Sequence, residues 1–430
     1  MTRTSSFTRV SLLSLATAAC GSNSQPPSFP RAESAAARVT DPQVSATDAA
    51  TFAADNQAFA LAAYQRMAAT TGNLVFSPTS LSIALAMTYA GAAGTTAIEM
   101  ASALHFSLPP ERLHSAFDAL DLALASRGEG HKGADGGPMR VDVVNALWAE
   151  RTFTFQAAFL DTLAVNYGAG VNLLDFIGAA DSSRQTINAW VAYQTGDKIK
   201  DLLPEHSVDS AALVLSNAVY LNAAWRTPFD PKDSEDGMPF ILLDNTTVAT
   251  HRMSVGLGNI PAVKGSGYVA ATIPYDDERL SLLVVVPDPG TFTAFEAGLD
   301  QAELDAIVSS LTPQTVGLWM PRFKVETGQE LAGLLHGLGM ISAFDQSLAD
   351  FSGMDGVQDL YISKVFHKAY ISVAEKGTEA AAATAVVVRT DSAVDYGLNV
   401  VAERPFLFFL RDEPTGAILF MGRVLDPTKS

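Results

Sequence analysis

The residue types that most often carry chemistry are sparse in this chain and poorly placed for it. Its seven histidines include no pair three or four residues apart, so the helical spacing that lets two imidazoles share a metal is missing. The single cysteine, Cys20, has no partner for a disulfide and leaves no other thiol for zinc binding or nucleophilic catalysis. The chain has no Gly-x-Ser-x-Gly elbow, no His-Glu-x-x-His and no Gly-x-x-x-x-Gly-Lys phosphate cradle. Ser266, between Gly265 and Gly267, reads as a loop serine. These absences argue against an enzyme, and no cofactor or metal is expected.

A different kind of signal lies between Glu375 and Ser392, in the stretch EKGTEAAAATAVVVRTDS. Its alanines favour helix while Val386-Val387-Val388 favours extended backbone. One reading is an exposed alanine helix or plain loop followed by a strand. The other numbers the stretch with a period of two. One face then carries Thr378, Ala380, Ala382, Thr384, Val386 and Val388, all small or β-branched and uncharged. The opposite face carries Glu379, Ala381, Ala383, Ala385, Val387 and Arg389, which gathers both charges on one side. A strand with one buried face needs that arrangement, and Gly377 just before it can serve as a hinge.

The whole chain must supply the body on which such a segment acts. Hydrophobic residues make up 48% of its 430 residues and charged residues 17%, so a large folded core is feasible. The net charge of −18 argues against nucleic acid or a polybasic membrane surface as partners. Near the start, Arg3 and Arg9 precede a short apolar run, Val10 to Ala19, and then Cys20. This is the layout of a bacterial signal peptide over residues 1–19, too short to span a bilayer. Ala-Ala-Cys-Gly resembles a lipoprotein signal that would lipidate Cys20, although Thr17 stands where leucine is usual. Ordinary secretory cleavage and a retained tail are the alternatives. The protein is accordingly expected to be exported, as an outer-membrane or cell-surface lipoprotein or in secreted, extracellular form. Residues 20–50, rich in Ser, Pro, Ala and Gln, are expected to form a flexible tether, with the folded domain over 51–430.

Helical spacing starts with Phe52, Phe59, Ala63 and Met67. Ser77-Pro78 predicts a helix start with serine as cap, leading into a nearly charge-free and therefore buried helix. Thr96-x-x-Glu99 predicts a capping box opening the next helix, and the glycine-rich run Gly128–Gly137 a loop. Val141–Trp148 and Leu213–Asn222 read as strands and Ser183–Gln194 as a helix. Tyr268–Pro274 with Leu280–Val286, and Phe406–Leu410 with Ala417–Val424, read as hairpins. Helices dominate the first third and antiparallel strand pairs with intervening helices the rest, so the expected class is α+β.

Seven short segments, in order, resemble the serpin family: Asn73–Ser80 (NLVFSPTS), Ser216–Trp225 (SNAVYLNAAW), Met320–Phe323 (MPRF), His367–Tyr370 (HKAY), the Glu375–Thr384 hinge, Arg404–Phe406 (RPF) and Phe420–Arg423 (FMGR). The resemblance runs from about residue 50 to Pro427. It implies the serpin fold: mostly antiparallel sheets including a large central one, surrounding helices and an exposed reactive loop. It implies a suicide inhibitor of serine or cysteine proteases, forming a covalent 1:1 complex with its target and otherwise monomeric. The cleaved hinge (Glu375, Gly377, Thr378, Glu379, Ala380, Ala381, Ala382, Ala383, Thr384) would insert between the strand around Asn217 and the one from Lys368 to Ala374. Counting along the usual hinge length from Glu375 sets the reactive bond at Asp391-Ser392, with Arg389-Thr390 or a later position near Val394 or Tyr396 as rivals. By the same resemblance His367, Asn217, Ser77 and Ser80 form a network under the opening part of the sheet, and Arg322 pairs with Glu375 at its top. Trp225 is either simple core or a cover over the point where the loop first enters. The functional alternative is a non-inhibitory serpin-fold carrier or interaction module. Polyanion activation, known in some serpins, is not expected, since residues 96–127 carry only Arg112 and Arg127 as basic residues.

Overall fold

The computed structural model describes residues 27–378 and 396–430. The helix Ala46–Met67 is capped by Ser45, whose side chain accepts from the Asp48 amide, and buries Phe52, Phe59, Ala63 and Met67 on one face. Pro78–Tyr89 begins at the Ser77 cap with proline in its first turn. Every residue from Pro78 to Thr88 is buried, because this helix lies against the strands Arg140–Glu150 and Leu213–Ala224 on one side and Ile418–Val424 on the other. A helix with no wet face can carry no charge without heavy desolvation cost, which accounts for its composition.

Among the described residues the strands form two sheets. The first runs, edge to edge, Arg31–Ala32, Val171–Leu174, Arg140–Glu150, Leu213–Ala224, Gly377–Thr378, Ile362–Ala374 and Phe323–Glu330. The second runs Leu398–Val401, Thr312–Pro321, Thr247–Lys264, Tyr268–Pro274, Leu280–Pro287, Phe406–Asp412, Ile418–Val424 and Leu74–Phe76, with Glu235–Ile241 attached to the long Thr247–Lys264 strand. Most neighbours are antiparallel. Leu213–Ala224 and Ile362–Ala374, called here the Asn217 and His367 strands, are parallel. The helix Ala180–Gln194 covers the outer face of the first sheet, where Ile187 and Val191 join Trp148, Phe176 and Val214 in a small apolar cluster. The main core fills the space between the sheets and the helices.

Two expectations are corrected. The stretch expected as a flexible tether is docked from Pro27 onward. Arg31–Ala32 pairs with Asn172 and Val171, Phe29 sets its ring edgewise to Trp148 at 4.9 Å, and the helix starts at Ala46. An edge strand offers unpaired backbone groups to any extended segment, and Arg38 reaches both Asp118 at 2.8 Å and Asp121 at 2.6 Å. Thr96 and Glu99 form no capping box, because the helix begins at Gly94. The Thr96 hydroxyl instead accepts from the Asp350 amide, and the Glu99 carboxylate from the amides of Ile341 and Ser342. Long-range partners thus take both groups away from the local motif.

Candidate functional site

The Asn217 and His367 strands pair directly from Leu213 opposite Ile362 to Val219 opposite Ala369. Above that point their shared ladder ends, and Gly377–Thr378 fits between them, antiparallel to both: Thr378 opposite Val373 and Ala223, Gly377 opposite Ala374 and Ala224. Gly377 has a φ of +152°, and a Cβ there would stand 2.0 Å from the Ala223 carbonyl oxygen, so glycine is required on two counts. Thr378 is buried, with its hydroxyl 2.5 Å from the Tyr275 phenol. Burial holds that phenol well above its ordinary pKa, so Tyr275 stays neutral.

Trp225 fastens the turn leading into this slot. Its indole N–H donates to the Ala374 carbonyl at 2.9 Å, its amide to the Lys376 carbonyl, and its ring stacks on Tyr275 at 4.4 Å. The Phe229 amide donates to the Glu375 carbonyl.

Glu375 is buried and held by Arg322 through a two-pronged contact, Nε to Oε2 at 2.6 Å and Nη2 to Oε1 at 2.5 Å. Ser234 and His251 add further bonds to Oε1. Burial alone would raise the Glu375 carboxyl, but the Arg322 pair and the other hydrogen bonds outweigh it and hold the group below its usual range.

Lower in the sheet, Asn145, Asn217 and His367 stand in one cross-strand row. The His367 Nε2 accepts from the Ser77 amide at 3.1 Å, so the ring proton sits on Nδ1 and is donated to the Asn217 Oδ1. The Asn217 amide group in turn donates to Ser80 Oγ at 2.5 Å and to Asn145 Oδ1. The Ser77 hydroxyl is spent on capping its helix, accepting from the Ser80 amide. The structure therefore joins Ser77, Ser80, Asn217 and His367 across two strands and the helix beneath them.

The hinge positions Glu379, Ala380, Ala381, Ala382, Ala383 and Thr384, the bonds Asp391-Ser392 and Arg389-Thr390, and Cys20 lie outside the described residues. Sequence reasoning missed Asn145, Tyr275, Ser234 and His251. Asn145 alone carried a signal, as the single amide within the apolar run Val143–Trp148.

Two expectations follow. Tyr275→Phe leaves the buried Thr378 hydroxyl without its partner, a loss of about 1–3 kcal/mol. It should lower the thermal midpoint of the intact protein, and an unchanged midpoint would remove Tyr275 from the hinge's support. The second concerns acid. Burial pushes His367 down to about 3 and His114 down to about 4, against about 6.5 in an unfolded chain. Above about pH 6.5 neither state binds these protons. Below it the unfolded chain takes them up first, so each histidine removes up to about 1.4 kcal/mol of stability per pH unit as pH falls. The midpoint should drop from pH 6.5 to 4 and drop less steeply in His367→Gln. Equal slopes would assign the acid sensitivity elsewhere.

Known proteins share this architecture. The sequence profile described as "Serpin (serine protease inhibitor)" matches residues 54–427. A leukocyte elastase inhibitor of Xenopus laevis is 35% identical over 367 residues, 83% of this chain and 94% of its own length. An uncharacterized serpin-like protein of Thermococcus kodakarensis is 35% identical over 366 residues, 85% of this chain and 83% of its own. Among solved structures, the thermophilic serpin tengpin in its native state superposes with a TM-score of 0.80 at 25% identity, covering 91% of this chain and 97% of that one. With the profile spanning nearly the whole folded body, the chain belongs to the serpin family.

Proposed function

We propose that this serpin is a suicide-substrate inhibitor of serine or cysteine proteases. The observation that carries the reading is the parted sheet: two central strands paired below, separated above, with the two-residue strand Gly377–Thr378 seated between them. The residues alternating with Thr378, from Ala380 to Val388, are small or β-branched, so no bulky or charged side chain on that face would oppose continuation of the strand. Leukocyte elastase inhibitors among the relatives favour inhibition over a carrier role.

In this mechanism the protease nucleophile attacks the carbonyl of Asp391, the peptide bond to Ser392 breaks, and the Ser392 amine leaves with a proton. The acyl bond to Asp391 then tethers the protease to the freed segment. Insertion from Thr378 to Asp391, about 45 Å at roughly 3.3 Å per residue, carries the protease along the sheet before water can release it. Arg389 is the rival acyl position.

Incubation with a panel of serine and cysteine proteases tests this. The expected result is a complex that survives SDS, with a released peptide Ser392–Ser430. A peptide starting at Thr390 would transfer the specificity to Arg389. Thr378→Arg, which would bury an unpaired charge, should be cut without forming complex. Cleavage without complex by the unaltered protein across the whole panel would favour the non-inhibitory alternative.

Export, with Cys20 lipidated, belongs to the same reading and rests on the Arg3–Gly21 pattern. Cys20→Ala should move the protein from detergent to water in phase partitioning. Aqueous partitioning of both forms would favour simple secretion.

A further inference from the structure

One contact at the top of the slot is unaccounted for by the Arg322–Glu375 pair. His251, on the long strand Thr247–Lys264, reaches a carboxylate with each ring nitrogen: Nδ1 lies 2.6 Å from Asp236 Oδ1 and Nε2 lies 2.8 Å from Glu375 Oε1. A carboxylate only accepts, so both nitrogens must donate, and only the imidazolium has two N–H groups. We infer that His251 is a positioning residue for the hinge, a charged clasp that ties Glu375 to Asp236 and restrains the first step of strand insertion.

The groups facing the ring support this. From the strand Glu235–Ile241 comes Asp236, while its neighbour Glu235 is taken by Arg252 at 2.9 Å. From the turn after the His367 strand comes Glu375, and from the link before Phe323 comes Arg322, whose amide also donates to the His251 carbonyl. Ser234 contributes a neutral hydroxyl. Arg322 balances one carboxylate and the imidazolium the other. Without the ring proton, one nitrogen lone pair faces an oxygen anion and one carboxylate is uncompensated. The clasp therefore depends on the charge of the ring. A global melting curve mixes this contact with the rest of the fold, so a local readout is needed.

The inference takes the hinge to be the moving part of the proposed inhibitor, but its test involves no protease and can fail separately. Deuterium uptake by a peptide spanning Glu375–Thr378, corrected for intrinsic exchange, is compared at one pH between the unaltered protein and its variants. Uptake should rise about threefold in His251→Gln, the scale of one partly exposed ion pair, and stay low in His251→Lys, which keeps a charge. Asp236→Asn, at an exposed carboxylate, should raise it with the Arg322 pair intact and serves where a His251 variant fails to fold. Uptake equal to that of the unaltered protein in both His251→Gln and Asp236→Asn overturns the assignment.

Discussion

Backbone hydrogen bonding along one line of the first sheet sets the terms for everything else in this molecule. Two parallel strands share a ladder up to Val219 and Ala369 and then diverge, while each continues to pair on its outer side, the Asn217 strand with Arg140–Glu150 and the His367 strand with Phe323–Glu330. A third strand laid between them can pair on both edges. Each residue so ordered costs about 1–2 kcal/mol of backbone entropy and returns up to two ladder bonds of about 1 kcal/mol each. The two nearly cancel, so side chains decide whether a third strand forms there. On the mechanism proposed above, the uncharged character of Thr378 and its alternate followers therefore matters more than any catalytic group.

The chemistry holding the divergence changes along its length, as solvent access requires. Low in the sheet, with a fully buried helix underneath, the contacts are neutral: an imidazole held uncharged by burial, two amides and a serine hydroxyl. An ion pair in that position would cost several kcal/mol of desolvation per charge. At the rim, where the Arg322 side chain is 45% exposed, the contacts are ionic. A guanidinium can grip a carboxylate there in two-pronged geometry at modest cost. Trp225 and Tyr275 separate the two regions with a stacked pair that excludes water from Thr378.

What could be read from the sequence was local. The Ser77 cap, the buried helix after it, both hairpins and the strand around Val141–Trp148 follow from turn chemistry and periodicity, and the structure has them within a few residues. Of the segment expected as a hinge, the structure describes Gly377 and Thr378, seated as a short strand. Other features depend on partners far along the chain. His251 meets Glu375 across 124 positions and Tyr275 meets Thr378 across 103, and no window-based reading sees either. The docking of residues 27–45 was hidden for a similar reason: the segment lacks a period of its own and borrows order from an exposed strand edge and from Asp118 and Asp121. The strand Thr247–Lys264 also escaped notice, since Gly256, Gly258 and Pro261 interrupt its alternation and only its neighbours restore the register.

The neutral lower region and the ionic rim also meet a proton differently. Acid works against the lower network, because a proton on His367 would displace the hydrogen bond that its Nε2 accepts from Ser77 and leave a charge in the core. At the rim the Arg322 pair and its neighbouring hydrogen bonds hold the Glu375 carboxyl below its usual range, so it stays ionised further into acid than an unpaired carboxylate would. Restraint at the two ends of the gap thus rests on different chemistry, a neutral network where water is excluded and ion pairs where it is not.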